Sequence, residues 1–235
     1  MPQTILLFFS TYIFLLSALY FLLWSVVLFI SFRKDRKVRK KILTVSLLFS
    51  IITPFIEHIN LADWWSPVFL SHTFFHIEDL LFGFGITGTS LGIYFWISKN
   101  MHAQIEQQAV FSRLHKTVLL IAPMLIMFIP FYLAYIPSFY TEIMSMLVLS
   151  TWVFAKIPKM ILPAIKTGVL LTLIILPGYF VATYLHPGWI QEYWKLAGWP
   201  GQLFLTVPIG EYIFYFLSGL FIPAFAEVFF TKLQK

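Results

Sequence analysis

The sequence predicts an all-α integral membrane protein of about seven transmembrane helices, arranged as two parallel three-helix repeats joined by a central linking helix. Three observations carry this expectation. The 235 residues are 60% hydrophobic and 11% charged, where a soluble domain carries about 25% charged residues. Apolar runs close to the roughly 20 residues that a bilayer-spanning helix needs recur along the chain. Two stretches also recur in the same order. Leu47-Leu-Phe-Ser-Ile-Ile-Thr-Pro54 matches Leu170-Leu-Thr-Leu-Ile-Ile-Leu-Pro177 at an offset of 123, and His76-Ile-Glu-Asp-Leu-Leu-Phe-Gly-Phe84 matches Pro208-Ile-Gly-Glu-Tyr-Ile-Phe-Tyr-Phe216 at an offset of 132. A longer outer loop in the second half accounts for the difference.

The first span is expected at about 5–31. Its apolar run has no basic leader and is too long for a cleaved signal, so it reads as a retained span. The run Arg33-Lys-Asp-Arg-Lys-Val-Arg-Lys-Lys41 separates it from a second span near 42–58, which contains Pro54. The loop Asn60-Leu-Ala-Asp-Trp-Trp-Ser-Pro67 leads to a third span, about 75–98. A polar loop from Lys99 to Lys116 precedes the fourth, about 117–135. The fifth covers about 141–156 and the sixth about 160–185, with Pro177 inside it. After the loop His186–Trp194 the seventh runs about 206–230. Residues 1–235 then form a single domain, with repeat one at about 1–98, the linking helix at about 117–135 and repeat two at about 139–235.

Charge placement supports this count. With 33–41 on the inner side, 15 of the 16 Lys and Arg residues fall inside and only Lys195 falls outside. The N-terminus is then outside and the C-terminus inside, and the cell (cytoplasmic) membrane is the expected location. The net charge of +6 marks topology, with an anionic-lipid contact as a second use. Nothing beside the basic run could read bases, so no nucleic-acid partner is expected.

Other chemistries are excluded by what is missing. There are no cysteines, hence no disulfide, thiolate metal site or cysteine nucleophile. No glycine-rich phosphate or dinucleotide fingerprint is present, so no cofactor is expected. A retinal protein would need a lysine in the last span, and 206–230 has none. His58, His72 and His76 lie near Glu57, Asp63, Glu78 and Asp79. A turn must separate His72 from His76, however, and the second half has no matching histidines, so no metal is expected. A prenyltransferase would need Asp-rich motifs for a diphosphate, and no Asp-x-x-x-Asp occurs.

The candidate chemistry lies in the repeated acidic stretch. An ionised carboxylate at the centre of a spanning helix costs about 2.5–3.5 kcal/mol on insertion scales, and such residues usually face an interior or a cavity. Glu78, Asp79 and Glu211 stand at the outer starts of their spans, where the helix dipole also favours acids. Phe82 follows Asp79, and Phe214 follows Glu211, by three positions, which puts each acid and ring on one helix face. An acid beside aromatic faces can make a carbocation and shelter it. Gly85, Gly88 and Gly92 share a face of the third span and are assigned to helix packing. Trp64, Trp65, Trp189, Trp194 and Trp199 crowd the outer loops and read as an interfacial belt, some of them as candidate walls of an access route.

Ala62-Asp-Trp-Trp-Ser-Pro67, Ile77-Glu-Asp-Leu-Leu-Phe-Gly-Phe-Gly85 and Pro208-Ile-Gly-Glu-Tyr-Ile-Phe-Tyr-Phe216, leading to Ala226-Glu227, resemble the integral-membrane lycopene cyclases of carotenoid biosynthesis, the heterodimeric or fused tandem type. The family pattern is Pro-x-Glu-Glu-x-x-x-Phe or a close variant, once per half. Here His76 replaces the first proline, and Gly210 replaces the first acid of the second half. The duplicated architecture covers nearly the whole chain, and the specific motifs about a fifth of it. The resemblance implies an isomerase, or intramolecular lyase, that cyclises the ψ-end groups of lycopene or a related polyene to ionone-type rings. The reaction is acid-catalysed and redox-neutral, without a cofactor. Such an acid must hold its proton near neutral pH, a condition that burial favours. Glu78, Asp79 and Glu211 would be the catalytic carboxyls, with Asp79 facing Glu211 as the dyad. Phe82, Phe84, Phe214, Phe216 and Glu227 would bind the hydrophobic polyene. Partners beyond substrate and lipid bilayer are not implied, and homo-oligomerisation stays open. The alternative is a non-catalytic carotenoid- or lipid-binding or transport protein on the same scaffold, a reading that Gly210 favours.

Overall fold

The computed structural model describes Phe8 and residues 11–70, 73–102, 104–105, 111–195 and 197–230. The beginning of the expected first span, His72, Lys232 and Lys235 lie outside the described residues. Among those described, seven helices are long and apolar enough to cross a membrane. They are α1 (Ile13–Ser31), α2 (Arg36–Asp63), α3 (Ile77–Ser98), α4 (Arg113–Ala134), α5 (Ser138–Lys156), α6 (Ile161–Leu185) and, last in the chain, α8 (Ile209–Phe230). A 3-10 turn, Pro158–Met160, leads into α6. The protein is an all-helical integral membrane protein, and between α6 and α8 lie three small elements among the described residues: the short helix α7 (Trp189–Tyr193), a 3-10 turn (Trp199–Gly201) and a hairpin of β1 (Leu203–Phe204) and β2 (Val207–Pro208).

Local chemistry sets several boundaries. α2 starts well before the apolar run, because the Asp35 carboxylate accepts the Val38 N–H at 3.0 Å and caps it. The lysines and arginines that follow are good helix formers, so most of the expected loop 33–41 is helix. Ser112 caps α4 in a reciprocal box with His115. The hairpin turns on Leu205 and Thr206, both at positive φ (47° and 66°), a region where a β-branched residue is strained. Ile209 N–H donates to Gln202 at 2.8 Å, and the Tyr212 hydroxyl to the Phe204 carbonyl at 2.8 Å. The strained turn is thereby tied to the start of α8.

The repeat is visible in the helices themselves. α3 and α8 are each 22 residues long and carry their acids in the first turn. Both ends match at the offset of 132 read from the motifs. α2 and α6 each keep an internal proline, Pro54 and Pro177.

The contacts divide the chain into two compact units. The first comprises residues 1–89 and 173–212. In it α3 is gripped by α1 and α2. A Cβ on Gly85 would lie 2.7 Å from the Leu22 backbone nitrogen, one on Gly88 would strike Ser25, and one on Gly83 would strike Thr53. Hydroxyls add ties between these helices: Thr89 donates to the Phe21 carbonyl at 3.1 Å and Ser50 to the Leu80 carbonyl at 2.8 Å. The Tyr20 hydroxyl reaches the Ile174 carbonyl on α6 at 2.6 Å.

The second unit comprises residues 90–172 and 213–235. Here Gly168 of α6 and Gly219 of α8 meet backbone to backbone, and a Cβ on Gly168 would stand 2.6 Å from the Phe216 carbonyl oxygen. Close approach of this kind is how apolar helices associate where burial from water supplies no drive. The Lys116 ammonium donates to the Phe229 carbonyl at 3.0 Å near the end of α8, where a helix leaves carbonyls without internal partners.

Candidate functional site

The three motif carboxyls all belong to the first unit and are all buried: Glu78 and Asp79 are 0% and 1% exposed, Glu211 6%. Each is held differently. Glu211 sits in the first turn of α8 and accepts two hydrogen bonds, from Trp64 Nε1 at 3.1 Å and from the Tyr179 hydroxyl at 2.8 Å. Asp79 Oδ2 lies 3.0 Å from His76 Nδ1, one turn back at the start of α3. The second oxygen of Asp79 is buried with no hydrogen-bond partner among the described residues. Glu78 accepts the Leu70 N–H at 2.8 Å, which fastens the loop between α2 and α3 to the start of α3.

Two loops bring these groups their partners. Trp65 and Trp194 form an antiparallel bridge. Around it Ser66 N–H donates to the Tyr193 carbonyl at 2.7 Å, and Lys195 N–H to the Trp64 carbonyl at 2.7 Å. The Lys195 ammonium adds a bond to the Leu61 carbonyl at 2.8 Å. With its main chain pinned this way, Trp64 points its indole at Glu211 and Trp65 donates to Glu57. Glu57 is thus a fourth buried carboxyl of this unit.

Aromatic rings connect the carboxyls. Tyr179, on Glu211, contacts Trp189 at 5.4 Å and Trp194 at 6.3 Å between centroids. Trp194 contacts Trp65 at 5.1 Å, and Trp65 contacts Phe14 edge-on at 4.6 Å. Phe14 touches Phe82 at 5.4 Å and Phe69 at 5.7 Å. Phe69 lies flat on the His76 ring at 3.6 Å, and His76 meets Asp79. From Glu211 to Asp79 the path is an unbroken series of ring contacts and hydrogen bonds. Phe82 belongs to it, and it rests on Phe21 as well, at 5.6 Å.

Comparison with family models, with curated proteins and with solved structures finds no match for this chain.

Phe84 is half-buried on α3. Phe214, Phe216 and Glu227 belong to the second unit. There Phe216 packs over Gly168, and Glu227 Oε1 stands 3.6 Å from His102 Nδ1, with Tyr94 and Ser98 buried nearby on α3.

The tryptophans need a correction. Trp64 and Trp189 are not members of an interfacial belt. They are 4% and 2% exposed, and their indole N–H groups go to Glu211 and, at 3.1 Å, to the Thr183 hydroxyl. Trp199, at 49% exposed, fits the belt. Sequence reasoning also missed Tyr179 and Phe69, and weighed Glu57 only as part of a metal site. The one local signal was the Trp-Trp pair beside an acid-bearing helix end, since buried indoles need acceptors. His58, on α2, contacts Phe74, and His76 is engaged with Asp79.

Chemically, the site offers two differently held carboxyls and a wall of rings. Glu211 has both oxygens occupied by neutral donors, whereas Asp79 keeps one open. The wall presents ring faces, which attract a cation.

Proposed function

We propose that the protein is a membrane carotenoid cyclase, which converts the ψ-end groups of lycopene or a related polyene to ionone-type rings. The observation that carries the reading is the pair of buried carboxyls, Asp79 and Glu211, at matched positions of two repeat-related helices and joined by an aromatic path. Asp79, with its open oxygen, delivers a proton to the terminal double bond of the ψ-end. A tertiary cation forms, and the electron pair of the neighbouring double bond attacks it and closes the six-membered ring. The new cation loses a ring proton to Glu211. One proton enters and one leaves, so no oxidant or reductant is needed. Trp64 and Tyr179 orient Glu211, and His76 passes a proton back to Asp79. The rings of Phe14, Phe69, Phe82 and Trp65 shield the cation from water, and separating acid from base lets one site perform both transfers.

The resemblance of the motifs to lycopene cyclases supports this reading, whereas Gly210, which leaves Glu211 without a neighbouring acid in its motif, favours the carotenoid-binding alternative. The inner-side placement of the basic loops and a cell-membrane location belong to the same proposal. The test is expression in cells that accumulate lycopene, followed by pigment chromatography. Ring-bearing product supports the cyclase. Lycopene recovered unchanged but co-purifying with the protein would replace it with the carotenoid-binding alternative.

A further inference from the structure

The whole excess charge of the chain resides in nine residues. Between Arg33 and Lys41 there are seven cations and one acid, a net of +6, and the remaining 226 residues carry nine of each sign. The acid, Asp35, is occupied as the cap of α2. The structure puts this charge at one membrane boundary, because α1 ends at Ser31 and α2 begins at Arg36, both of them spans. Arg33, Lys34, Arg36, Lys37 and Lys40 are exposed.

The cations stand at the wrong end of their helix. The first turn of α2 holds no acid, and a helix N-terminus already carries positive partial charge, so each cation there is unfavourable by the amount an anion would be favourable. Arg39 adds an independent sign of a missing acceptor. Its guanidinium lies 5.7 Å over the Phe29 ring, folded back along the end of α1, and its Nε is shielded from solvent with no hydrogen-bond partner among the described residues. A phosphate oxygen at headgroup depth would accept from that donor and offset both the clustered charge and the helix dipole.

We propose that the Arg33–Lys41 turn is a binding site for anionic phospholipid headgroups. Clustered lysine and arginine beside a spanning helix bind such lipids with a gain of about fivefold per cation. The location decides for lipid over other anions, since four residues separate the two spans and the headgroup layer lies against them.

The test uses the full chain in nanodiscs of phosphatidylcholine containing a minor share of phosphatidylglycerol, with native mass spectrometry counting the retained lipids. The expected result is enrichment of phosphatidylglycerol around the wild type, weakened by raised salt. In Arg33→Gln/Arg36→Gln/Lys40→Gln the enrichment falls by about fivefold for each charge removed. The charge-preserving Arg33→Lys/Arg36→Lys retains it. Equal retention of both lipids by the wild type overturns the proposal without reference to any variant. So does undiminished enrichment in the folded triple variant. A short oligonucleotide that displaces the phosphatidylglycerol at equal charge concentration would show a general polyanion site and overturn it too.

Discussion

Tyr179→Phe and Glu211→Gln, made singly and together, test the central geometry. The Tyr179 hydroxyl joins α6 to α8 through a buried 2.8 Å bond to Glu211 Oε2. Removing it leaves the ring against Trp189 and Trp194 and opens no cavity of consequence. A hydrogen bond to an ionised group contributes about 1.5–3 kcal/mol, whereas interhelical bonds in membranes average about 0.6 and reach about 1.7 kcal/mol. The overlap sets the cost of Tyr179→Phe at about 1.5 kcal/mol. Glu211→Gln replaces two acceptor oxygens with one acceptor and one donor. Trp64 Nε1 can only donate, so the amide must turn its oxygen to Trp64 and its NH₂ to Tyr179, whose hydroxyl can rotate to accept. The double variant should therefore cost less than the sum of the singles, by about 1 kcal/mol. Reversible unfolding in mixed micelles measures the coupling. Additivity within about 0.5 kcal/mol, the behaviour of independent sites, would refute the pairing of Tyr179 with Glu211. In a lycopene conversion assay Glu211→Gln should lower turnover about 10²–10⁴-fold. Tyr179→Phe, which loses only the positioning, should lower it about tenfold.

Asp79→Asn should lower turnover by the same order as Glu211→Gln, but the two should differ in product: losing the base changes which ring proton leaves, so residual product of Glu211→Gln should shift among ring isomers, and chromatography reads the shift. Glu78→Gln keeps an acceptor for the Leu70 N–H and should leave turnover within about threefold, whereas Glu78→Ala orphans a loop donor at a cost of about 1–3 kcal/mol, measured by unfolding. Gly219→Ala drives a Cβ into the Gly168 backbone and should destabilise by about 1–3 kcal/mol as overpacking does; unchanged unfolding would show that the two helices can part at no cost. Asp35→Ala removes the α2 cap and should cost about 0.5–2 kcal/mol, seen as a lower unfolding midpoint.

The spans were legible because hydropathy and charge are sums over neighbouring residues, and a bilayer imposes one length on every crossing. The repeat was legible for the same reason: α3 and α8 have one length and one register because each begins at a motif that can be aligned by eye. At α2 a local signal was outweighed: the charges of 36–41 looked like loop, although Asp35 in front of them is a helix cap. Glu78, Asp79 and Glu211 were found as candidates because an acid in an apolar stretch is costly wherever it points.

Their partners could not be found that way. Trp64 and Glu211 are 147 residues apart, and Tyr179 and Glu211 are 32 apart, with no spacing rule linking them. A tryptophan has an apolar body and one donor, which suits a membrane interface and a buried carboxylate equally well. Its surroundings decide, and those exist only after the 64–66 and 193–195 loops have bridged. The glycines show the same division. Gly85 and Gly88 could be assigned to packing from their shared face, but that Gly219 meets Gly168 depends on how α6 and α8 cross. Sequence by itself determines what each segment must bury; the closure of distant segments on one another determines which polar group receives which donor.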